Sequence, residues 1–259
     1  MKLPFTKYQG TGNDFIMVDQ RVQSFVDPEN TSLIAHLCNR RFGIGADGLI
    51  LLENSEDTDF KMVYFNADGR ESTMCGNGGR CIVHFAHALK VFEESCTFEA
   101  IDGIHHATIN GDWVHLQMND VQKIEAKDGV YVLDTGSPHY VRMQEEAEDL
   151  DIVSFGRSIR YNDTYQKDGI NVNLVQRSEE GLHVRTYERG VEDETLSCGT
   201  GAVASVIAAD IHLNTTSPIQ VEVQGGKLEV TYEKRDGVFT NIFLCGPAEE
   251  VFSGEISID

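Results

Sequence analysis

Cys198-Gly199-Thr200-Gly201-Ala202-Val203-Ala204-Ser205-Val206-Ile207-Ala208-Ala209 is apolar on nearly every face once it is wound into a helix. A helix that is apolar all round is buried all round. The segments on either side, 183–187 and 219–223, alternate like strands between turn signals. The natural packing is therefore a sheet curled about a central helix. An earlier stretch has the same form: Cys75-Gly76-Asn77-Gly78 runs into Gly79-Arg80-Cys81-Ile82-Val83-His84-Phe85-Ala86. The chain thus reads as an α+β protein of two pseudo-symmetric domains, each a curved, mainly antiparallel sheet or barrel around a central helix.

The rest of the pattern fits two such units. Strands are expected over 5–9, 15–19, 49–52, 61–65, 97–100, 106–109 and 113–118 in the first half. In the second they are expected over 131–134, 140–143, 170–175, 183–187, 219–223, 228–232 and 239–244. Helices are expected over 32–38, after Cys75, over 153–159 and over 199–213. The polar, charged stretch 119–127 reads as the boundary, giving domains of 1–120 and 121–250.

Bulk composition narrows the function. The 259 residues, 41% hydrophobic, are ample for buried cores. A net charge of −21, spread along the chain, argues against nucleic-acid partners, whose phosphates it would repel. No run approaches the ~18 apolar residues that a bilayer span needs, so no membrane partner is expected. The first residues show no apolar signal-peptide core, which points to a cytoplasmic protein whose six cysteines stay reduced. No metal is expected either, because Cys75 and Cys81 lack zinc-ribbon spacing and the histidines supply no matching partner pattern.

A thiol at a helix N-terminus lies against backbone N–H groups and the positive end of the helix dipole, which stabilises its thiolate. Two such thiols, Cys75 and Cys198, suggest a pair working on one substrate from opposite sides. The N–H groups of Gly76, Asn77, Gly199 and Thr200 would hold a carboxylate between them. One thiolate would take an α-proton and the other thiol would return one on the opposite face, the work of a racemase or epimerase. Cys-x-x-Cys is absent, which weakens a thiol–disulfide exchange reading. Asn66 and Glu188-Arg189 end strands nine and ten residues before the two cysteines. Arg189 suits bidentate binding of a second carboxylate. His139 is expected to pair with Glu188 and adjust thiol protonation.

Taken in order, several stretches resemble the diaminopimelate epimerase family. They are Thr11-Gly12-Asn13-Asp14-Phe15, Arg41-Phe42-Gly43-Ile44-Gly45-Ala46-Asp47-Gly48, Phe65-Asn66-Ala67-Asp68-Gly69, Tyr187-Glu188-Arg189-Gly190 and the two Cys-Gly-x-Gly motifs. The resemblance extends to Gly225-Gly226-Lys227-Leu228 and to Gly246-Pro247-Ala248-Glu249-Glu250-Val251-Phe252. It implies an enzyme without pyridoxal or other cofactor that interconverts LL- and meso-diaminopimelate for lysine synthesis. It also implies a cleft that closes on substrate, a homodimer, and a last strand, 251–259, returning to the first domain. On this resemblance Cys75 and Cys198 are the acid/base thiols, assisted by His139 and Glu188. Gly76, Asn77, Gly199 and Thr200 hold the reacting carboxylate, and Asn13, Asn66, Asn171, Glu188 and Arg189 line the rest of the substrate site. Some members carry Gln where Gly48 stands and Asn where Ser137 stands, and the loop 190–197 is one residue longer than in some. Two alternatives remain open: a proline racemase-like enzyme, a group that typically has His where Asn77 stands, and a non-catalytic binding protein on the same fold.

Overall fold

Segments that are apolar on every side become the middle layer of each half of this protein, seen in a computed structural model that describes residues 1–145 and 150–258. The first half of the chain runs β1 (Lys2–Gly10), β2 (Asn13–Asp19), α1 (Thr31–Cys38), β3 (Gly48–Glu53), β4 (Phe60–Asn66), α2 (Gly76–Ala88), β5 (Ser95–Ala100), β6 (Gly103–Asn110) and β7 (Trp113–Gln117). The second runs β8 (Ile124–Lys127), β9 (Val130–Asp134), β10 (Pro138–Gln144), α3 (Ile152–Arg160), β11 (Asn171–Arg177), β12 (Gly181–Glu188), β13 (Asp193–Thr195), α4 (Gly199–Leu213), β14 (Ile219–Val223), β15 (Gly226–Arg235), β16 (Val238–Pro247) and β17 (Glu249–Ser257). The chain forms two compact units, Met1–Leu116 with Gly246–Asp259, and Gln117–Cys245.

In the first unit β17, β1 and β2 pair antiparallel, and β2 then pairs parallel with β3. Next, β3 pairs antiparallel with β4, β4 parallel with β5, and β5 to β7 antiparallel. The sheet wraps α2, which packs against β1, β2, β3, β6 and β17. The run Phe15-Ile16-Met17-Val18 is buried throughout because the sheet is covered on both faces. Ile16 and Val18, with Leu49 and Leu51, join the cluster under α1. Phe15 and Ile50 lie on the other face, so close to α2 that a Cβ on Gly78 would stand 3.1 Å from Ile50 Cδ1 and 3.5 Å from the Phe15 ring.

The second unit repeats this order. β8, β9 and β10 pair antiparallel, β10 pairs parallel with β11, and β11 antiparallel with β12. β12 then pairs parallel with β14, and β14 to β16 antiparallel. Helix α3 takes the place of α1, and α4 that of α2. On β11, Val172 and Leu174 face the α3 cluster, so Asn171 and Asn173 fall on the opposite face, toward α4. The α4 run from Gly201 to Asp210 is buried at every position.

Helix α4 begins and ends where the sequence places it, and α3 and α1 extend the expected ranges by one residue at one or both ends. Two strands escape the sequence reading. The polar stretch 119–127, expected as a connector, contains β8, which pairs with β9 and is anchored upstream by Val121, bridged to Phe239. β13 is three residues long and pairs with the end of β12, where charged residues mask any alternation.

Candidate active site

Each central helix starts from a cysteine held in extended backbone, Cys75 at φ −98°, ψ 133° and Cys198 at φ −125°, ψ 109°. Neither side chain caps its own helix. The first helical bonds run from Gly79 N–H to the Cys75 carbonyl at 2.7 Å and from Ala202 N–H to the Cys198 carbonyl at 2.9 Å. The amides of Gly76, Asn77, Gly199 and Thr200 therefore precede the helical ladder, where backbone donors favour an anion. Four further cysteines are buried and differ in kind. Burial pushes the thiols of Cys38 and Cys96 up to about 12, and that of Cys81 higher still. They pack as small apolar groups.

In the first unit Asn13, which opens β2, reaches Cys75. Its amide nitrogen donates to Asp47 Oδ2 at 2.6 Å, so its oxygen faces the sulfur: Cys75 Sγ lies 3.7 Å from Asn13 Oδ1. Asn77 Nδ2 donates to the same oxygen at 3.5 Å. Asp47 belongs to a charged cluster in which Arg40 donates to Asp14 and Asp47, and Lys7 pairs with Asp14 at 2.8 Å. Burial alone would lift the Asp14 carboxyl, but hydrogen bonds from Arg40 and Lys7 outweigh it and hold it down at about 2. Asn77 is turned by Arg80, whose guanidinium is fully buried inside α2. Arg80 donates to Asn77 Oδ1 and Thr11 Oγ1 at 3.1 Å each, to the Gly76 carbonyl at 3.3 Å and to the Pro247 carbonyl at 3.4 Å.

Asn66 ends β4 opposite Gly48 and is exposed, its amide oxygen held by the Tyr64 hydroxyl at 2.9 Å. The glycine at 48 makes room for that tyrosine. A Cβ there would stand 2.5 Å from the Phe65 carbonyl oxygen and 2.6 Å from Tyr64 Cε2. Gly48→Ala is expected to destabilise the protein by about 1–3 kcal/mol through overpacking. A thermal melt unchanged from that of the parent would show that neither the Phe65 carbonyl nor the Tyr64 ring crowds this position.

In the second unit His139, the second residue of β10, is fully buried and does not pair with Glu188 as expected. Its Nε2 lies 2.9 Å from Thr200 Oγ1, and its Nδ1 lies 2.9 Å from Asn173 Nδ2. The reason is register: His139 and Asn171 are partners on parallel strands that face α4, so the ring meets the first turn of that helix. Thr200 Oγ1 is in turn 3.5 Å from Cys198 Sγ. Glu188, at the end of β12, accepts from Thr195 Oγ1 at 3.0 Å across the β12–β13 pair. Asn171 joins the remaining groups. Its amide donates to Ser137 Oγ at 2.9 Å and accepts from the Arg189 backbone N–H at 2.8 Å. The exposed Arg189 guanidinium donates to the Asp168 carbonyl at 2.9 Å and to Ser137 Oγ at 3.5 Å. Glu192 pins the loop that follows, accepting from the Tyr187 hydroxyl at 2.7 Å, Tyr161 at 3.0 Å and Arg160 at 3.3 Å.

Burial, with the Arg189 charge in support, pulls His139 from 6.5 down to about 3. An unfolded chain binds a proton on this ring below pH 6.5 and the folded chain does not. The contribution is present above that pH and is lost as pH falls toward 3. The slope is about 1.4 kcal/mol per pH unit. Denaturant titrations at pH 7 and pH 5 are expected to show a larger loss of stability for the parent than for His139→Gln. Equal losses in the two proteins would contradict the buried neutral ring.

Sequence reasoning missed Arg80, Asp47, Tyr64 and Asn173. Arg80 carried a signal, a cation just ahead of the apolar run Cys81-Ile82-Val83, and so did Asn173, an amide between Val172 and Leu174.

A family model described as diaminopimelate epimerase matches residues 5–124 and 131–251. The chain belongs to the diaminopimelate epimerase family. It is 56% identical over 253 residues to the diaminopimelate epimerase of Flavobacterium psychrophilum, covering 96% of this chain and 98% of that protein. The corresponding enzyme of Aquifex aeolicus is 38% identical, with 98% of each chain covered. Among solved structures, a Bacillus anthracis phenazine biosynthesis protein of the PhzF family superposes with a TM-score of 0.75 at 16% identity, covering both chains completely. A hydroxyproline epimerase from Agrobacterium vitis gives 0.70 at 13% identity, covering 100% of this chain and 92% of that one. At these identities the structures speak for the fold alone, and the diaminopimelate epimerase assignment rests on the sequence matches.

Proposed function

We propose that this chain interconverts LL- and meso-diaminopimelate, without pyridoxal, by proton transfer at the α-carbon between two cysteines. A thiolate takes the α-proton: the C–H bond breaks, an S–H bond forms, and the electron pair moves onto the α-carbon and its carboxylate. The second thiol then gives its proton to the opposite face and is left as thiolate. Backbone amides of Gly76, Asn77, Gly199 and Thr200 bear the carboxylate charge that builds between the two steps. Asn13, Asn66, Asn171, Glu188 and Arg189 bind the rest of the substrate, with Arg189 on the distal carboxylate. The protein works as a cytoplasmic homodimer.

The observation that carries this reading is a repeated device: an extended cysteine before a buried, glycine-led helix, in topologically equivalent places in both units. A binding protein has no use for two such thiols. Arg189, reaching out from the end of β12, favours a substrate with a second charged end over proline. The test is to incubate purified protein with LL-diaminopimelate, without added cofactor, and to separate the stereoisomers by chiral chromatography. Formation of the meso isomer, with proline left unracemised, is the expected result. Folded protein that leaves diaminopimelate unchanged would overturn the proposal.

A further inference from the structure

Asn173 lies outside the set of residues proposed to touch substrate, yet it is fully buried against the helix that carries Cys198. Its orientation is fixed by its neighbours. Asn173 Nδ2 is 3.4 Å from the Tyr140 carbonyl oxygen, which can only accept, so the amino group must face that side. The amide oxygen is then free to accept from the Thr186 hydroxyl at 2.8 Å, its direct partner across the β11–β12 pair. The same amino group faces His139 Nδ1 at 2.9 Å.

This determines where the imidazole proton sits. Nδ1 accepts from an amide, so in a neutral ring the proton is on Nε2. The His139 ring is neutral at working pH because burial pulls it down to about 3. Nε2–H meets Thr200 Oγ1 at 2.9 Å. Asn171 does not compete as an acceptor. Its oxygen is taken by the Arg189 N–H, so it too turns its amino group toward the ring, at 3.4 Å. With its oxygen accepting from His139, the Thr200 hydroxyl has its own proton to give, and Cys198 Sγ is 3.5 Å away. Donor follows donor from Asn173 to His139 to Thr200 to sulfur.

We propose that Asn173 is a positioning residue of the reaction, holding His139 in the Nε2–H tautomer so that the Thr200 hydroxyl donates a hydrogen bond to the Cys198 sulfur. A sulfur that receives a hydrogen bond is favoured as thiolate. Glycine at 201 belongs to the same arrangement. A Cβ there would stand 2.5 Å from Asn173 Oδ1 and 3.3 Å from Cys198 Sγ, so no side chain fits between the amide and the helix start.

The inference rests on the proposed function only for the role of Cys198. Its tests read the ring and the sulfur directly, so they fail or succeed apart from the epimerase activity. The first uses the unaltered protein labelled with nitrogen-15 in its histidines, the His139 signals being assigned by their loss in His139→Gln. Expected at neutral pH is an unprotonated Nδ1 and a protonated Nε2. A protonated Nδ1 would overturn the proposal. The second uses Asn173→Leu and Thr200→Val, which keep shape and delete polar links. Each is expected to slow iodoacetamide alkylation of Cys198 at pH 7 about tenfold, as a rise of one pKa unit would. The double variant is expected to slow no further, because the residues act in one series. In both variants kcat for epimerisation should fall while KM for diaminopimelate holds. Alkylation at the parent rate in folded Thr200→Val, or effects that multiply in the double variant, would overturn it.

Discussion

Cys75→Ala and Cys198→Ala are each expected to lower kcat for epimerisation by about 10²–10⁴-fold, the usual contribution of a positioned acid or base. KM should change little, because the amides proposed to hold the reacting carboxylate are main-chain groups and survive the substitution. The two losses should not add. Inversion needs a proton removed from one face and another delivered to the opposite face, so removing either thiol blocks the same cycle. The fold should tolerate both changes. Cys75 is only partly buried, and Cys198, at 8% exposure, has no side chain directly engaged in capping its helix. Steady-state kinetics with both stereoisomers, alongside circular dichroism, make the comparison. Either variant retaining more than about a tenth of parental kcat would remove its cysteine from the acid/base pair.

Arg80→Leu should produce the largest loss of stability. The guanidinium is fully buried in the first turns of α2 and serves four acceptors from three parts of the unit: Thr11, Gly76 with Asn77, and Pro247 at the end of β16. Leucine fills part of the volume and leaves those acceptors without this donor. Each buried acceptor stranded costs about 1–3 kcal/mol, so a total of about 3 kcal/mol is a conservative sum. For a chain of this size that corresponds to a fall of roughly 6–12 °C in Tm. Activity at temperatures where the variant is folded should also drop, since Arg80 turns the Asn77 amide that meets Asn13 beside Cys75. A melt within about 2 °C of the parent would mean that water replaces the guanidinium at little cost.

The legible parts of the chain were those in which burial leaves a one-dimensional trace. Helix α4 was readable to the residue, because a helix enclosed by a sheet must be apolar at every turn, and few other sequences look like Ala202 to Ala209. The two Cys-Gly-x-Gly starts were readable for a related reason: glycine is needed where a helix start approaches its neighbours closely. β13 and β8 were not readable, because short edge pairs with charged faces carry no hydrophobic period. The partner of His139 was not readable either. That choice depends on register between β10 and β11, which places the ring beside Asn171, Asn173 and Thr200 and not beside Glu188. Arg80 and Asn173 show the same limit from the other side. A polar residue beside an apolar run says that something must satisfy it, but only the fold supplies the name of the partner.

The mechanism requires that solvent-derived protons pass through cysteine sulfur to the α-carbon. It is tested most directly by running the reaction in deuterated water from LL-diaminopimelate and following the α-proton by NMR at early times. With two sulfur bases the meso product carries deuterium at the inverted centre from its first appearance, while unreacted substrate keeps its α-proton. Product that forms without deuterium at that carbon would contradict the account, since the proton would then have been carried across by a single group or not removed at all.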